Sequence, residues 1–293
     1  MTDWNRITRE ITHLSGQPCR LGQVQELGGG CINRAFVVRD GMAAWFVKLN
    51  AAHRLDMFEA EAAGLRALAA TRTLRVPQAL GTGLADGEAF LVLEYIPFGR
   101  QGPGGGAEAG RRLAQLHRHS QDRFGWDRDN YIGSTPQTNT QSGDWAYFWR
   151  EQRLGPQLER ARRQGFAGRL QDRGRRLLEL CPALLDHAPL PSLLHGDLWG
   201  GNMAYDTAGD PLLFDPAVYY GDREADLAMT QLFGGFGGDF HAAYREAWPL
   251  DPGYSLRRDL YNLYHILNHL NLFGAGYLAQ ALDMIERLLA ALH

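Results

Sequence analysis

Long hydrophobic runs are missing from this 293-residue chain. Without an apolar stretch near the roughly 20 residues that span a bilayer, no membrane helix is expected. Cysteine is scarce: Cys19, Cys31 and Cys181 form an odd set with no C-x-x-C pair. That argues against a disulfide framework or a structural zinc site and fits a reducing cytoplasm. Nor is there an excess of positive charge, because 30 Lys and Arg stand against 33 Asp and Glu for a net charge of -3. No overall field would draw nucleic acid or an anionic membrane surface, so a small polar or charged ligand is the expected partner. The first residues, Met1 to Arg6, are polar and lack the apolar core of an export signal. What is present is hydrophobic content of 45%, enough to bury one or two substantial cores.

The apolar pattern changes along the chain. Leu21 to Leu27 and Arg34 to Arg39 read as strands, and the second meets Met42 to Leu49 across Asp40-Gly41, a dipeptide suited to a hairpin turn with positive φ. Leu55 to Ala70 has helical period, with Leu55, Phe58, Ala62, Leu65 and Ala69 on one face. A further strand runs from Glu88 to Tyr95. The glycine-rich stretch from Gly99 to Gly106 offers no side chains for regular structure and reads as a linker. Beyond it the pattern is mainly helical, broken by two short apolar strands at Met203 to Tyr205 and Leu212 to Phe214. The expected organisation is therefore α+β: a β-rich lobe over 1–97, a crossover over 98–106 and a helical lobe over 107–293.

Chemistry concentrates in His195-Gly196-Asp197-Leu198-Trp199-Gly200-Gly201-Asn202 and the later Phe214-Asp215-Pro216. Phosphoryl transfer needs a carboxylate beside the acceptor hydroxyl and oxygen ligands that hold Mg²⁺ on nucleotide phosphates. An H-x-D-x-x-x-x-N loop followed by an Asp after a short ribbon supplies all three. Asp197 is the expected base, and Asn202 and Asp215 the expected metal ligands. Turn chemistry alone also favours Gly, Asp, Asn and Pro, so the spacing carries the signal rather than the residue types.

Upstream residues fit the same chemistry. Lys48 ends a strand on the face opposite Trp45, Val47 and Leu49, where its ammonium could reach the α- and β-phosphates of ATP. Its partner carboxylate should lie on the next helix; Glu61, at the edge of the buried stripe, fits better than Glu59. Gly28-Gly29-Gly30 lies between two strands, where amide groups could face phosphate oxygens, with Asn33 in place of a third glycine. Glu94 and Ile96 close the β-rich lobe, where a backbone C=O and N–H could pair with adenine. A solvated lysine and an empty hairpin loop are the plainer readings of these features taken singly.

Together, H-G-D-L-W-x-G-N over 195–202, Asp215-Pro216-Ala217 with Tyr220-Gly221, Met57-Phe58-Glu59-Ala60-Glu61, and Leu267-Asn268-His269-Leu270-Asn271 with Phe273-Gly274 resemble the fructosamine kinase family, also called ketosamine 3-kinases. The motifs extend over nearly the whole chain. The resemblance implies a two-lobed protein-kinase-like fold, ATP and Mg²⁺ as cofactors, and transfer to the 3-hydroxyl of ketoamines, the adducts of sugars with free or protein-bound amines. That phosphorylation destabilises the adduct and reverses glycation. Asp-Pro-Ala replaces the Asp-Phe-Gly of protein kinases, so regulation by a flipping Phe is not expected. A kinase of another small alcohol, such as an aminoglycoside, and a nucleotide-binding interaction module stay open beside this reading. A cytoplasmic monomer is the default.

Trp199 is placed to wall the acceptor pocket, or else packs in the core. Asp222, Glu224 and Asp226 could select a secondary ammonium, yet they equally suit the first turn of a helix. Cys31, in the presumed phosphate loop, is a candidate redox site. His265 and His269 have the i, i+4 spacing zinc can use, but no third ligand is evident and packing is the expected role.

Overall fold

Asp40-Gly41 turns the chain back on itself with Gly41 at a φ of +58°, and the pairing that follows fixes which face each side chain takes. The structure is a computed structural model that describes residues 2–28, 32–41 and 43–292. The antiparallel strands β1 (Gln23–Leu27), β2 (Arg34–Asp40), β3 (Ala43–Ala51), β4 (Ala79–Ala85) and β5 (Glu88–Glu94) form one sheet in the order β1-β2-β3-β5-β4. On one face Phe36, Val38, Trp45, Val47, Leu49, Phe90 and Val92 pack with Ile7 and Ile11 of α1 (Trp4–Ser15). Lys48 is one residue out of step with that set and turns to the opposite face, toward α2 (Leu55–Ala70). The helix α1 is absent from the sequence reading because its apolar stripe is narrow; Asp3 caps it by accepting from the Arg6 N–H at 3.0 Å.

The chain divides into two compact units, Met1–Pro103 with Ala204–Pro216, and Gly104–Met203 with Ala217–His293. The second unit begins with α3 (Gly105–His117), so helix starts inside the stretch expected to be irregular. Glycine is used there for packing: a Cβ on Gly106 would strike Asp239, and one on Gly110 would strike the Phe240 carbonyl. The order continues with β6 (Asn130–Ile132), β7 (Thr135–Gln137), α4 (Trp145–Trp149), a π-turn at Arg150–Leu154, α5 (Gly155–Arg163), α6 (Arg169–Leu180) and β8 (Ser192–Leu194).

Next comes the ribbon β9 (Met203–Tyr205) and β10 (Pro211–Leu213), whose residues from Ala204 on belong to the first unit rather than to the helical part. The remainder is β11 (Tyr219–Gly221), α7 (Glu224–Leu232), α8 (Gly238–Ala247), α9 (Tyr254–Phe273) and α10 (Leu278–Ala290). The core of the second unit is aromatic at its centre, with Trp145, Phe148, Trp149, Tyr261 and Tyr264 buried among leucines of α5, α6, α9 and α10. Among the described residues, no helix is long and apolar enough to cross a membrane.

Candidate active site

In the first unit, three of the expected residues meet. The Lys48 ammonium donates to Glu61 Oε1 at 2.7 Å and to Asp215 Oδ1 at 2.5 Å. Helix α2 thus presents Glu61, not Glu59, to the lysine. Lys48 is 6% exposed. Burial alone would lower its pKa, but the facing Asp215 and Glu61 carboxylates hold it above its ordinary value, so it stays a cation. Asp215 takes a φ of +56°, a left-handed conformation rare for a residue with a side chain and costly by about 1–3 kcal/mol.

Cross-links to the sheet hold that conformation in place. Arg75 donates to Asp206 at 2.5 Å and to Glu94 at 3.0 Å, the Leu213 N–H donates to the Arg75 carbonyl at 2.9 Å, and Phe98 stacks on Phe214. Asp206 also accepts from the Ala208 and Asp210 amides, which closes the ribbon's turn. The side chain of Glu94 is therefore occupied by Arg75 and by the Gln78 N–H, and Ile96 is buried. Gly28 is exposed after β1 with open space where a Cβ would lie. Asn50 Nδ2 bonds Asn33 Oδ1 and the Ile32 carbonyl beyond the loop. Gly29, Gly30 and Cys31 lie outside the described residues. Burial disfavours the thiolate at the other two cysteines, pushing Cys19 up to about 11 and Cys181 to about 12.

In the second unit, the segment His195 to Asn202 forms a tight turn. Strands β8 and β11 pair antiparallel, and the Ala217 N–H donates to the His195 carbonyl at 2.8 Å. Gly196 sits at φ +82° with its α-carbon against the Ala217 backbone, so only glycine fits. The Asp197 N–H donates to His195 Nδ1 at 3.3 Å. Asn202 Nδ2 donates to the Asp197 carbonyl at 2.9 Å and to its carboxylate at 3.2 Å, so Asp197 and Asn202 are side by side.

Beneath the turn lies Asp226, on α7 and buried. Its carboxylate accepts from the His195 N–H at 2.7 Å, the Gly196 N–H at 2.8 Å and His117 Nε2 at 3.2 Å. Burial opposes ionisation, yet these donors hold it below the usual carboxylate range. From residue type alone Asp226 suits either an ammonium ligand or a helix-turn acid. Its actual partners come from segments distant in sequence, which no local pattern announces. Asp222 and Glu224 are likewise committed inside, Asp222 to His187 and Tyr261, Glu224 to Arg257. None of the three is positioned on an open pocket wall to select a substrate.

Trp199 is not a core residue. It is 39% exposed, edge-on to Phe233 at 6.2 Å between centroids, and its ring covers Gly201, where a Cβ would collide with the indole. His269 packs among Phe233, Phe273 and Tyr277 and bonds the His265 carbonyl through Nδ1, the packing role expected of this pair.

A five-stranded sheet with a Lys–Glu ion pair, and a helical unit carrying an H-x-D-x-x-x-x-N turn, define the class of protein-kinase-like phosphotransferases. An aminoglycoside phosphotransferase, APH(4)-Ia, in a ternary complex with ADP and hygromycin B shares this fold at a TM-score of 0.64 and 15% identity over 96% of this chain and 97% of its own. A Haemophilus somnus protein provisionally named a fructosamine-3-kinase superposes at a TM-score of 0.90, with 31% identity over 98% of this chain and 97% of its own. The fructosamine kinase family model matches residues 3–291. The probable ketoamine kinase of a Synechocystis strain is 47% identical over 98% of this chain and 97% of its own length. The chloroplastic protein-ribulosamine 3-kinase of Arabidopsis thaliana is 44% identical over 95% of this chain and 86% of its own. The chain belongs to the fructosamine kinase family.

Proposed function

We propose that this chain is an ATP-dependent kinase acting in the cytoplasm on the 3-hydroxyl of ketoamines of the fructosamine and ribulosamine type. The observation that carries the reading is the catalytic turn: Asp197 beside Asn202, on a backbone clamped by the buried Asp226. In this reading Asp197 orients the acceptor hydroxyl and accepts its proton as the new O–P bond forms. Exposed Trp199 lays its indole against the apolar face of the sugar. Lys48, held by Glu61, contacts the α- and β-phosphates, Gly28, Gly29 and Gly30 contribute to nucleotide binding, and the backbone at Glu94 and Ile96 receives adenine.

The donor set suits Mg²⁺, a hard cation that takes oxygen ligands. Asn202 offers an amide oxygen, because its Nδ2 is already spent on Asp197. Asp215 offers a carboxylate that is 48% exposed and held in a strained backbone geometry. When bound, Mg²⁺ would supply charge neutralisation on the phosphates. The protein's own contribution is to position the acceptor and hold Lys48 charged.

The support for ketoamines over other alcohols is kinship with proteins named for them, together with the Trp199 that follows the H-G-D turn. ADP release over free and protein-bound ketoamines, with an aminoglycoside as control, tests the reading. Ketoamine-dependent release that stops when magnesium is chelated is the expected outcome. Turnover of the aminoglycoside and of no ketoamine would overturn it.

A further inference from the structure

The second unit contains a cavity of about 400 Å³ that the chemistry above does not use. Its walls come from the β6–β7 hairpin, the π-turn, α5 and Tyr264 of α9. A π-turn inside a helix costs regular hydrogen bonding and is found disproportionately at functional sites. This one brings Gln152 and Arg153 to the cavity.

The lining carries more positive than negative charge, with Arg153, Arg160 and Arg163 against Glu159. Its one carboxylate, Glu159, is taken by Arg162 and Arg163 at 2.7 and 2.8 Å. Arg153 is wholly buried, yet its guanidinium bonds neutral oxygens, those of Thr138, Gln152 and Asn139 among them, and stacks 4.0 Å from the Tyr219 ring centroid. Among the described residues no carboxylate pairs with it. Arg160, half-buried on the same wall, makes no side-chain hydrogen bond or ion pair among the described residues. Two further donors are orphaned there: Thr135 Oγ1 and Arg153 Nε are buried with no partner. A desolvated cation without a counter-ion is costly, and a cavity beside it concentrates the positive potential.

The cavity adjoins the catalytic turn through hydrogen bonds. Tyr264 OH donates to Gln137 Oε1 at 2.7 Å, Gln137 Nε2 donates to the Ala217 carbonyl at 3.3 Å, and the Ala217 N–H donates to the His195 carbonyl. Burial, with the Asp197 charge among the smaller contributors, pushes the Tyr264 phenol up to about 12, so it stays a neutral donor.

We propose that this cavity is a subsite for a compact oxyanion, carboxylate or phosphate, carried by the ketoamine, with Arg160 as its ion-pairing residue. The substrate class rests on the kinase reading. The anion has two sources: the α-carboxylate of a glycated free amino acid, or a phosphate at the far end of the sugar.

Calorimetry without nucleotide separates these. Three ligands are titrated: the ribulosamine of a free amino acid, its carboxamide, and the carboxamide bearing a 5-phosphate. The native protein should bind one or both anionic ligands at least about tenfold more tightly than the plain carboxamide, as a charge-assisted guanidinium contact allows. Whichever anion is preferred identifies the source. The preference should collapse in Arg160→Gln and return in part in Arg160→Lys, with unchanged thermal midpoints. Equal binding of all three ligands, failure of all to bind, or a preference that survives Arg160→Gln overturns the subsite. ADP release is then measured with the same ligands. Discrimination in binding without any turnover would retain the subsite and remove the kinase reading; turnover with no discrimination would do the reverse.

Discussion

The two units hold their polar centres by different means. In the first, Lys48 sits between two carboxylates, so each charge is balanced by an opposite charge within 2.5 to 2.7 Å. In the second, the Asp226 carboxylate is balanced by two backbone N–H groups and a histidine. An ion-pair centre tolerates removal of both partners together, whereas two of the three donors on Asp226 are backbone N–H groups that no mutation can delete. The first arrangement keeps a cation charged; the second fixes the path of a turn.

The largest effect should follow from breaking the second centre. Asp226→Asn leaves at least one amide without its acceptor and is expected to cost about 3 kcal/mol in urea unfolding, the range for hydrogen bonds to buried charge. Turnover should fall with it, because the turn bearing Asp197 loses its anchor. Lys48→Met strands Glu61 and should cost roughly 2–3 kcal/mol, but adding Glu61→Gln should restore most of that stability while activity stays lost. If Asp226→Asn could be rescued by a second substitution at His117 as fully as Lys48→Met is by Glu61→Gln, the contrast would fail.

Acid sharpens the comparison. Burial, and His269 beside it, lower His265 in the second unit to about 3. The unfolded chain binds that proton more readily, so stability is fully present above pH 6.5 and is lost as pH falls toward 3. The loss by pH 5 is about 2 kcal/mol. Chemical denaturation of native protein and His265→Gln between pH 7 and 5 should show the slope in the first and a flatter profile in the second. The smallest effect is expected at Arg75, which ties the β9–β10 ribbon to the sheet but is 43% exposed. Arg75→Ala should cost no more than about 1 kcal/mol, given solvent screening, and lower activity more than stability by freeing Asp215.

Residues whose chemistry and spacing are local were legible in the sequence. Helix α2 begins and ends where its apolar period places it, and Lys48, Glu61 and the 195–202 turn could be identified from residue type and period. What was not legible depends on contacts across the chain. The β6–β7 hairpin and the residues just after it bury Asn130, Gln137 and Asn139, polar residues that read as loop until the donors and acceptors facing them are known. The glycines after Pro103 look like a linker unless the helix they pack against is in view. Asp226 is one acid among three in a helix turn until His195 and Gly196 are folded over it.

The proton-accepting role proposed for Asp197 is tested most directly by single-turnover phosphorylation of a ribulosamine by the native enzyme and by Asp197→Asn, at saturating nucleotide and magnesium. The account predicts a chemical step slowed at least about 100-fold, with nucleotide binding and unfolding midpoint unchanged. A variant that transfers phosphate at the native rate would contradict it.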